Sequence, residues 1–340
     1  MMPTKPRIAI SMGDPGGIGP EVIAKALVHE DVRAATCTVV VGSADVLAVT
    51  CERLGISLRG RAIKHSADLD QRDELLIYDT VGGESPYLVG KVSELNGRAA
   101  HQWIVTAAKL AMDRKVDAIC TAPISKEAIY AAGVTFPGHT ELLAYLCGGC
   151  DVRMMLAGGG LHVVLQTIHV PVAGVPPLLS TAAIGQSLQI INSWWLRYYH
   201  KAPRIAVCGL NPHAGEAGHI GHEEIDIIAP AIAEANASGI AATGPYPADT
   251  VFHRALQGDF EVVLAMYHDQ ALIPVKTLDF HGGVNLTLGL PIIRTSPDHG
   301  TAFSIAGKGV ANESSMVAAI LQAAKLAQSG MAQLDPAALE

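Results

Sequence analysis

Two hydrophobic periods alternate along this chain. Short apolar runs recur at Arg7–Met12, Cys37–Val41, Val116–Cys120, Arg204–Leu210 and Glu261–Met266. Each is short, compact and bounded by Gly, Pro, Asn or Asp, so each reads as a buried strand. Between them lie segments whose apolar residues recur at helical spacing. These are about Pro20–Val28, Ala44–Leu54, Thr181–Tyr199, Glu313–Gln328, and Asn96–Arg114 with Ile104, Ala107, Ala108 and Ala111 on one face. Met154–Ala157 and Leu161–Ile168 flank Gly158-Gly159-Gly160, which predicts a hairpin. The run PGHTELL from Pro137 predicts a loop feeding a helix, with Thr140 as its cap. Glu223, Glu224 and Asp226 stand near another expected helix start, where acids suit the dipole. Residues 62–86 mix strand and turn signals. Strands alternating with helices point to an α/β fold with a largely parallel sheet.

One stretch follows neither period. Ala265–Ala306 carries a His-Asp pair, a lone Lys, an Asn, an Arg and a second Asp-His pair, separated by Gly and short apolar runs. It is too polar for a core strand, and it reads as a series of loops that deliver side chains to one place.

Composition narrows the class. The chain has 340 residues, 49% hydrophobic and 16% charged, so it can bury a large core and is not disordered. Length favours two domains. The formal charge of −8 argues against a nucleic-acid partner, which demands a basic face. No apolar run approaches the ~18 residues of a membrane helix, and the first residues lack the pattern of a signal peptide. The expectation is a cytoplasmic protein. Among its six Cys, Cys147 and Cys150 form a lone C-G-G-C without a second pair, which reads as reduced thiols rather than zinc or redox chemistry.

The candidate chemistry sits at strand ends. His169 follows VVLQTI, His213 follows IAVCGLNP, and His268 follows VVLAMY. In open α/β sheets ligands gather outside the carboxyl ends of strands. Three imidazoles there can hold one metal ion and leave a position open. The alternative is three unrelated loop histidines. His219 and His222 lie in the same loop as His213 and read as solvated or capping residues. Lys276, Asn285 and Arg294 form a cationic and polar set among apolar residues, suited to an anionic ligand, and His139 and Thr140 can add hydrogen bonds. The acids Asp249 and Asp269, with Asp298 beside His299, can orient a histidine or act as a base. The turn GDPGGIGPE, Gly13–Glu21, can bring backbone N–H groups to a ligand, but its spacing fits neither common phosphate-binding fingerprint, and a tight structural turn explains it equally.

Taken together, GDPGGIGPE, PGHTELL, LNPHAGE, AMYHDQ and GVNLTLGLPIIRTSPDHGTAFSIAGKG closely resemble the PdxA family, the 4-hydroxythreonine-4-phosphate dehydrogenases of vitamin B6 synthesis. The match runs nearly the whole length in the family order. GDPGGIGPEV and DHGTAFSIAGKGVAN also resemble isopropylmalate and isocitrate dehydrogenases. The resemblance implies their two-domain α/β fold, with the active site in the interdomain cleft. It implies an outer domain of residues 1–124 plus 300–340 that contributes to NAD binding. Residues 125–299 would form a central domain with the metal and substrate residues and the dimer interface.

The same resemblance implies a divalent metal on His169, His213 and His268, drawn from both subunits of a homodimer; Zn is expected, with Mg, Co or Ni as alternatives. His139, Thr140, Lys276, Asn285 and Arg294 would bind the phosphorylated substrate. Gly13, Asp14 and the segment His299, Gly300, Thr301, Ala302 would lie by NAD or NADP. Lys276, Asp249 and Asp269 are the expected catalytic residues. The implied reaction oxidises the C3 hydroxyl and then loses carbon dioxide. A branch of the family acts on D-threonate or D-erythronate 4-phosphate, giving dihydroxyacetone phosphate, and VKTLDFHGGVN resembles that branch. Two other classes compete: a metal hydrolase, against which the HGTA segment weighs, and a binder of small anions without turnover.

Overall fold

The computed structural model of the chain describes residues 5–70, 75–80, 87–136 and 138–332. It divides into two compact units, Met1–Cys150 with Leu290–Glu340, and Asp151–Gly289. Residues 125–150 and 290–299, expected with the second body, pack in the first. The helix His139–Leu146 lies on the helix Glu94–Met112, and the strand Arg294–Pro297 pairs with Ala118–Thr121.

Along the chain, β1 (Arg7–Ser11), β2 (Cys37–Val41), β3 (Arg61–Ile63), β4 (Leu75–Tyr78) and β5 (Ala118–Thr121) belong to the first unit. The second holds β6 (Arg153–Gly158), β7 (Leu161–Leu165), β8 (Ile205–Cys208), β9 (Ala242–Tyr246), β10 (Val262–Ala265) and β11 (Val284–Leu288), after which β12 (Arg294–Pro297) returns to the first. The first unit orders its strands β3-β4-β2-β1-β5-β12, every pair parallel. The second orders β11-β6-β7-β10-β8-β9, antiparallel around the β6–β7 hairpin and parallel from β7 to β9. The central strands β5, β8 and β10 are buried at every position, as sheets covered on both faces require. The α/β class expected from the periods is the one found.

Local chemistry sets the boundaries. Ser93 caps the helix Glu94–Met112 by accepting the Asn96 N–H, and Ser180 caps Thr181–Tyr199 by accepting the Ala183 N–H. Gly159 and Gly160 take positive φ in the hairpin turn. Two expectations fail. Thr140 is not a cap: Gly138 holds that position and Thr140 lies inside the first turn. Ala265–Ala306 is not all loop. It contains the helix His268–Leu278 and the strands β11 and β12. That helix starts at Tyr267 without a side-chain cap and carries Pro274 inside it, so both usual sequence signals are missing. Pro137 of the PGHTELL run lies outside the described residues.

Candidate active site

Strand order brings the histidines to one edge of the second unit. β7, β10 and β8 are adjacent and parallel, and His169, His268 and His213 follow them respectively. The rings of His169 and His268 lie with centroids 5.6 Å apart, tilted by 42°. Two imidazoles on one ion with ~2.0–2.1 Å bonds at tetrahedral angles put their centroids about 5 Å apart, so this pair fits a shared metal. His268 Nδ1 lies 2.7 Å from Asp269 Oδ1, and His213 Nδ1 lies 2.8 Å from Glu216 Oε2. A carboxylate only accepts, so Nδ1 is the donor in each contact, and Nε2 is the ring nitrogen left for another partner. A histidine metal ligand is commonly oriented through its other nitrogen in this way. His213 sits on a left-handed backbone, and among the described residues no three His, Cys, Asp or Glu side chains converge on one ion position.

Buried polar side chains to which the sequence alone assigned no role in the site fix these loops. Gln270 accepts the Met266 N–H at 2.7 Å and donates to the Gly209 carbonyl at 2.9 Å, joining the turns after β10 and β8. Thr167 donates its hydroxyl to the Met266 carbonyl at 2.7 Å, joining the turn after β7. Glu224, 3% exposed, accepts the Leu210 and Asn211 N–H groups, both at 2.7 Å, ahead of His213. The YHDQ run is the one signal that could have exposed Gln270, since it places a polar residue two positions after His268 on a helix.

Other expected residues of this unit are more dispersed. Asn285 is half-buried on β11, opposite Leu156. Lys276 Nζ lies 6.0 Å from the centroid of the Phe280 ring. Asp249 is exposed in the first turn of the helix Ala248–Leu256 and makes no hydrogen bond among the described residues.

The first unit carries a second cluster. Arg294, on β12, is 5% exposed and donates to the Thr121 hydroxyl from Nε at 3.2 Å and Nη2 at 2.8 Å. Burial lowers its pKa to about 10, opposed by Cys120 and Glu141, so it stays charged at neutral pH. His139 opens the helix His139–Leu146. Burial first, and then Arg294, hold its pKa well below 6.5, so the imidazole is neutral. Its Nε2 is buried without a hydrogen-bond partner. A buried cation beside an unsatisfied imidazole nitrogen is a receptor for an anion bearing oxygen atoms. Thr140 is half-buried next to it.

The Gly-rich turn is tied down from within this unit. Gly13 has φ +73°, and a Cβ there would strike the Pro123 carbonyl. Asp14 is fully buried; its Oδ1 accepts the Gly16 N–H at 2.8 Å, its Oδ2 has no partner, and burial raises its pKa. Ile18 donates its N–H to the Thr301 carbonyl at 2.9 Å, which sets the turn against the His299–Ala302 segment. His299 Nδ1 lies 3.2 Å from the Gly300 carbonyl, and Ala302 takes φ +42°. Cys147 and Cys150 are half-buried and form no disulfide.

The family model of the pyridoxal phosphate biosynthetic protein PdxA matches residues 34–323. The chain belongs to the PdxA family. It is 47% identical to 4-hydroxythreonine-4-phosphate dehydrogenase of Geobacter metallireducens over 96% of both chains. It is 46% identical to D-threonate 4-phosphate dehydrogenase of Cupriavidus necator, covering 95% of this chain and 97% of that one. The crystal structure of 4-hydroxythreonine-4-phosphate dehydrogenase from Klebsiella pneumoniae superposes with a TM-score of 0.87 at 40% identity, covering 96% of this chain and 100% of that one. PdxA membership and the dehydrogenase names of these relatives make the chain an oxidoreductase acting on a CH–OH group. No helix among the described residues is long and apolar enough to cross a membrane.

Proposed function

We propose that this chain oxidises the C3 hydroxyl of 4-hydroxythreonine 4-phosphate with NAD or NADP and releases the carboxylate carbon as carbon dioxide. The observation that carries the reading is near-full-length identity of 47% to a dehydrogenase of that name, joined to histidines following three adjacent parallel strands. When bound, a divalent metal would draw charge from the hydroxyl oxygen, and the nicotinamide would accept hydride.

The chain's own residues take the following roles. His169 and His268 would hold the metal, and His213 would complete the set within a homodimer. Asp269 fixes the His268 tautomer by its 2.7 Å contact. Arg294 binds an anionic group of the substrate from a buried position, where its charge is little screened. The orphaned His139 Nε2 takes one ligand oxygen, with Thr140 beside it. Lys276 and Asn285 bind the remaining polar groups. The hydroxyl proton passes to Lys276 or Asp249. Gly13, Asp14 and the segment from His299 to Ala302 support the cofactor.

A second reading has a specific observation behind it. The relative named D-threonate 4-phosphate dehydrogenase is 46% identical, nearly as similar as the first. D-threonate 4-phosphate keeps the reacting hydroxyl, the carboxylate and the phosphate, and lacks only the amino group. Parallel rate measurements on 4-hydroxythreonine 4-phosphate, D-threonate 4-phosphate and D-erythronate 4-phosphate decide between them. The first substrate is expected to give the highest kcat/KM. A higher value for either sugar acid overturns the first reading in favour of the second. Release of inorganic phosphate without cofactor reduction would make the chain a hydrolase instead.

A further inference from the structure

The amino edge of the parallel sheet in the first unit carries a cavity of about 280 Å³. It opens where β2 and β4 begin, beside the paired residues Thr38 and Leu75. The anion cluster and the Gly-rich turn belong to the opposite edge, since Thr121 ends β5 and Gly13 follows β1. A five-residue strand such as β2 spans roughly 16 Å, which separates the two edges. The cavity therefore stands apart from the residues assigned to the dehydrogenase reaction.

Its floor is apolar. Leu27, Val32 and Leu75 line it and are 3%, 0% and 9% exposed. Val28 stands at the mouth and is 39% exposed. The volume lies at the small end of ligand sites, which run from roughly 300 to 1,000 Å³. A single small ring would cover this floor.

Its rim is cationic. Arg33 and Arg59 both line the cavity and both are exposed, and neither side chain makes a hydrogen bond or ion pair among the described residues. The chain has 32 acids against 24 Lys and Arg, so a surface guanidinium has many carboxylates to meet, yet no acid is among the lining residues. Ser57 adds an exposed hydroxyl to the same rim. Lys5, whose Nζ donates to the Arg33 carbonyl at 2.6 Å, adds a third positive charge beside it. Two guanidinium groups suit a dianion better than a lone carboxylate, because each can fork around two oxygen atoms. A phosphate monoester carries a charge of about −2 at neutral pH and offers three terminal oxygens.

We infer that this cavity binds a phosphate monoester of a small apolar group. The phosphate lies between Arg33 and Arg59 and accepts the Ser57 hydroxyl. The apolar group covers Leu27, Val32 and Leu75. Occupation leaves the substrate and cofactor residues free, so binding here does not depend on which hydroxy acid the enzyme oxidises.

The test is calorimetric titration of phenyl phosphate into the full chain and two variants, the double substitution Arg33→Gln with Arg59→Gln, and Val28→Trp. Inorganic phosphate, which lacks the ring, and benzoate, which lacks the second charge, are titrated in parallel. The wild type is expected to bind phenyl phosphate more tightly than either. The double variant is expected to lose at least about 10-fold in affinity for phenyl phosphate, a factor worth ~1.4 kcal/mol. Val28→Trp crowds the floor from an exposed position, and is expected to weaken phenyl phosphate while leaving inorganic phosphate unchanged. Melting temperature and the rate of cofactor reduction without added ligand are expected to match the wild type in both variants. Wild-type affinity for phenyl phosphate in the double variant overturns the inference, because the ligand is then held elsewhere, as at Arg294. So does inorganic phosphate or benzoate that binds as tightly as phenyl phosphate, or a wild type that shows no saturable binding.

Discussion

At the scale of single residues, the strongest statements concern protonation. His139 is neutral because burial, and then Arg294, disfavour its cation. Its folded pKa is below the unfolded value, so the unfolded chain binds more protons as the solution acidifies. The stability it contributes is present above pH 6.5 and is lost as pH falls below it. His139→Asn is expected to flatten the dependence of melting temperature on pH between about pH 6.5 and 5. An unchanged slope would show that His139 titrates normally. Asp269 makes a second case. It holds Nδ1 of His268, and Asp269→Ala is expected to weaken divalent-metal binding by roughly 10–100-fold, as read by competition with a chromophoric chelator. Neither effect can be read from sequence. The types and order of these residues are visible there, but the lowered pKa of His139 depends on its burial and on Arg294, which lies far along the chain on β12.

At the scale of elements, the loops after β7, β8 and β10 act as one unit because buried side chains cross between them. Gln270→Leu keeps the size of the side chain and removes both of its hydrogen bonds. The Met266 N–H and the Gly209 carbonyl are then left buried, at about 1–3 kcal/mol each. A lower melting temperature is therefore expected together with weaker metal binding. A stability loss with unchanged metal affinity would mean that Gln270 supports the fold alone and does not position His268. Elements with strong periodicity were legible: Thr181–Tyr199 has the bounds its pattern predicts, and the hairpin forms around Gly159 and Gly160. The helix His268–Leu278 was not, because Pro274 interrupts its pattern and Tyr267 supplies no side-chain cap. The helix His139–Leu146 was legible, but its cap was misread, because Gly138 reaches the N-cap position with extended backbone and no side chain.

At the scale of the whole molecule, the motifs in chain order carried the family, and the pattern of strands and helices carried the α/β class. The units' bounds were less legible. The return of β12 to β5 is a pairing between segments more than 150 residues apart in sequence, and only tertiary structure reveals it. His169 and His268 have ring centroids 5.6 Å apart, and among the described residues no three His, Cys, Asp or Glu side chains converge on one ion position. The proposed homodimer would complete the set, and sedimentation of the metal-loaded protein is expected to give a dimer; a monomer of full activity would contradict it. The central claim is that this chain is a metal-dependent, nicotinamide-reducing dehydrogenase of a 4-phosphorylated hydroxy acid. Its most direct test is the absorbance of reduced nicotinamide formed from 4-hydroxythreonine 4-phosphate, divalent metal and NAD or NADP, by the wild-type chain and by His268→Ala. The account predicts steady cofactor reduction by the wild type and a loss of at least about 100-fold in kcat/KM, roughly 2.7 kcal/mol, in the variant. Equal rates from the two proteins, or no cofactor reduction by the wild type, would contradict it.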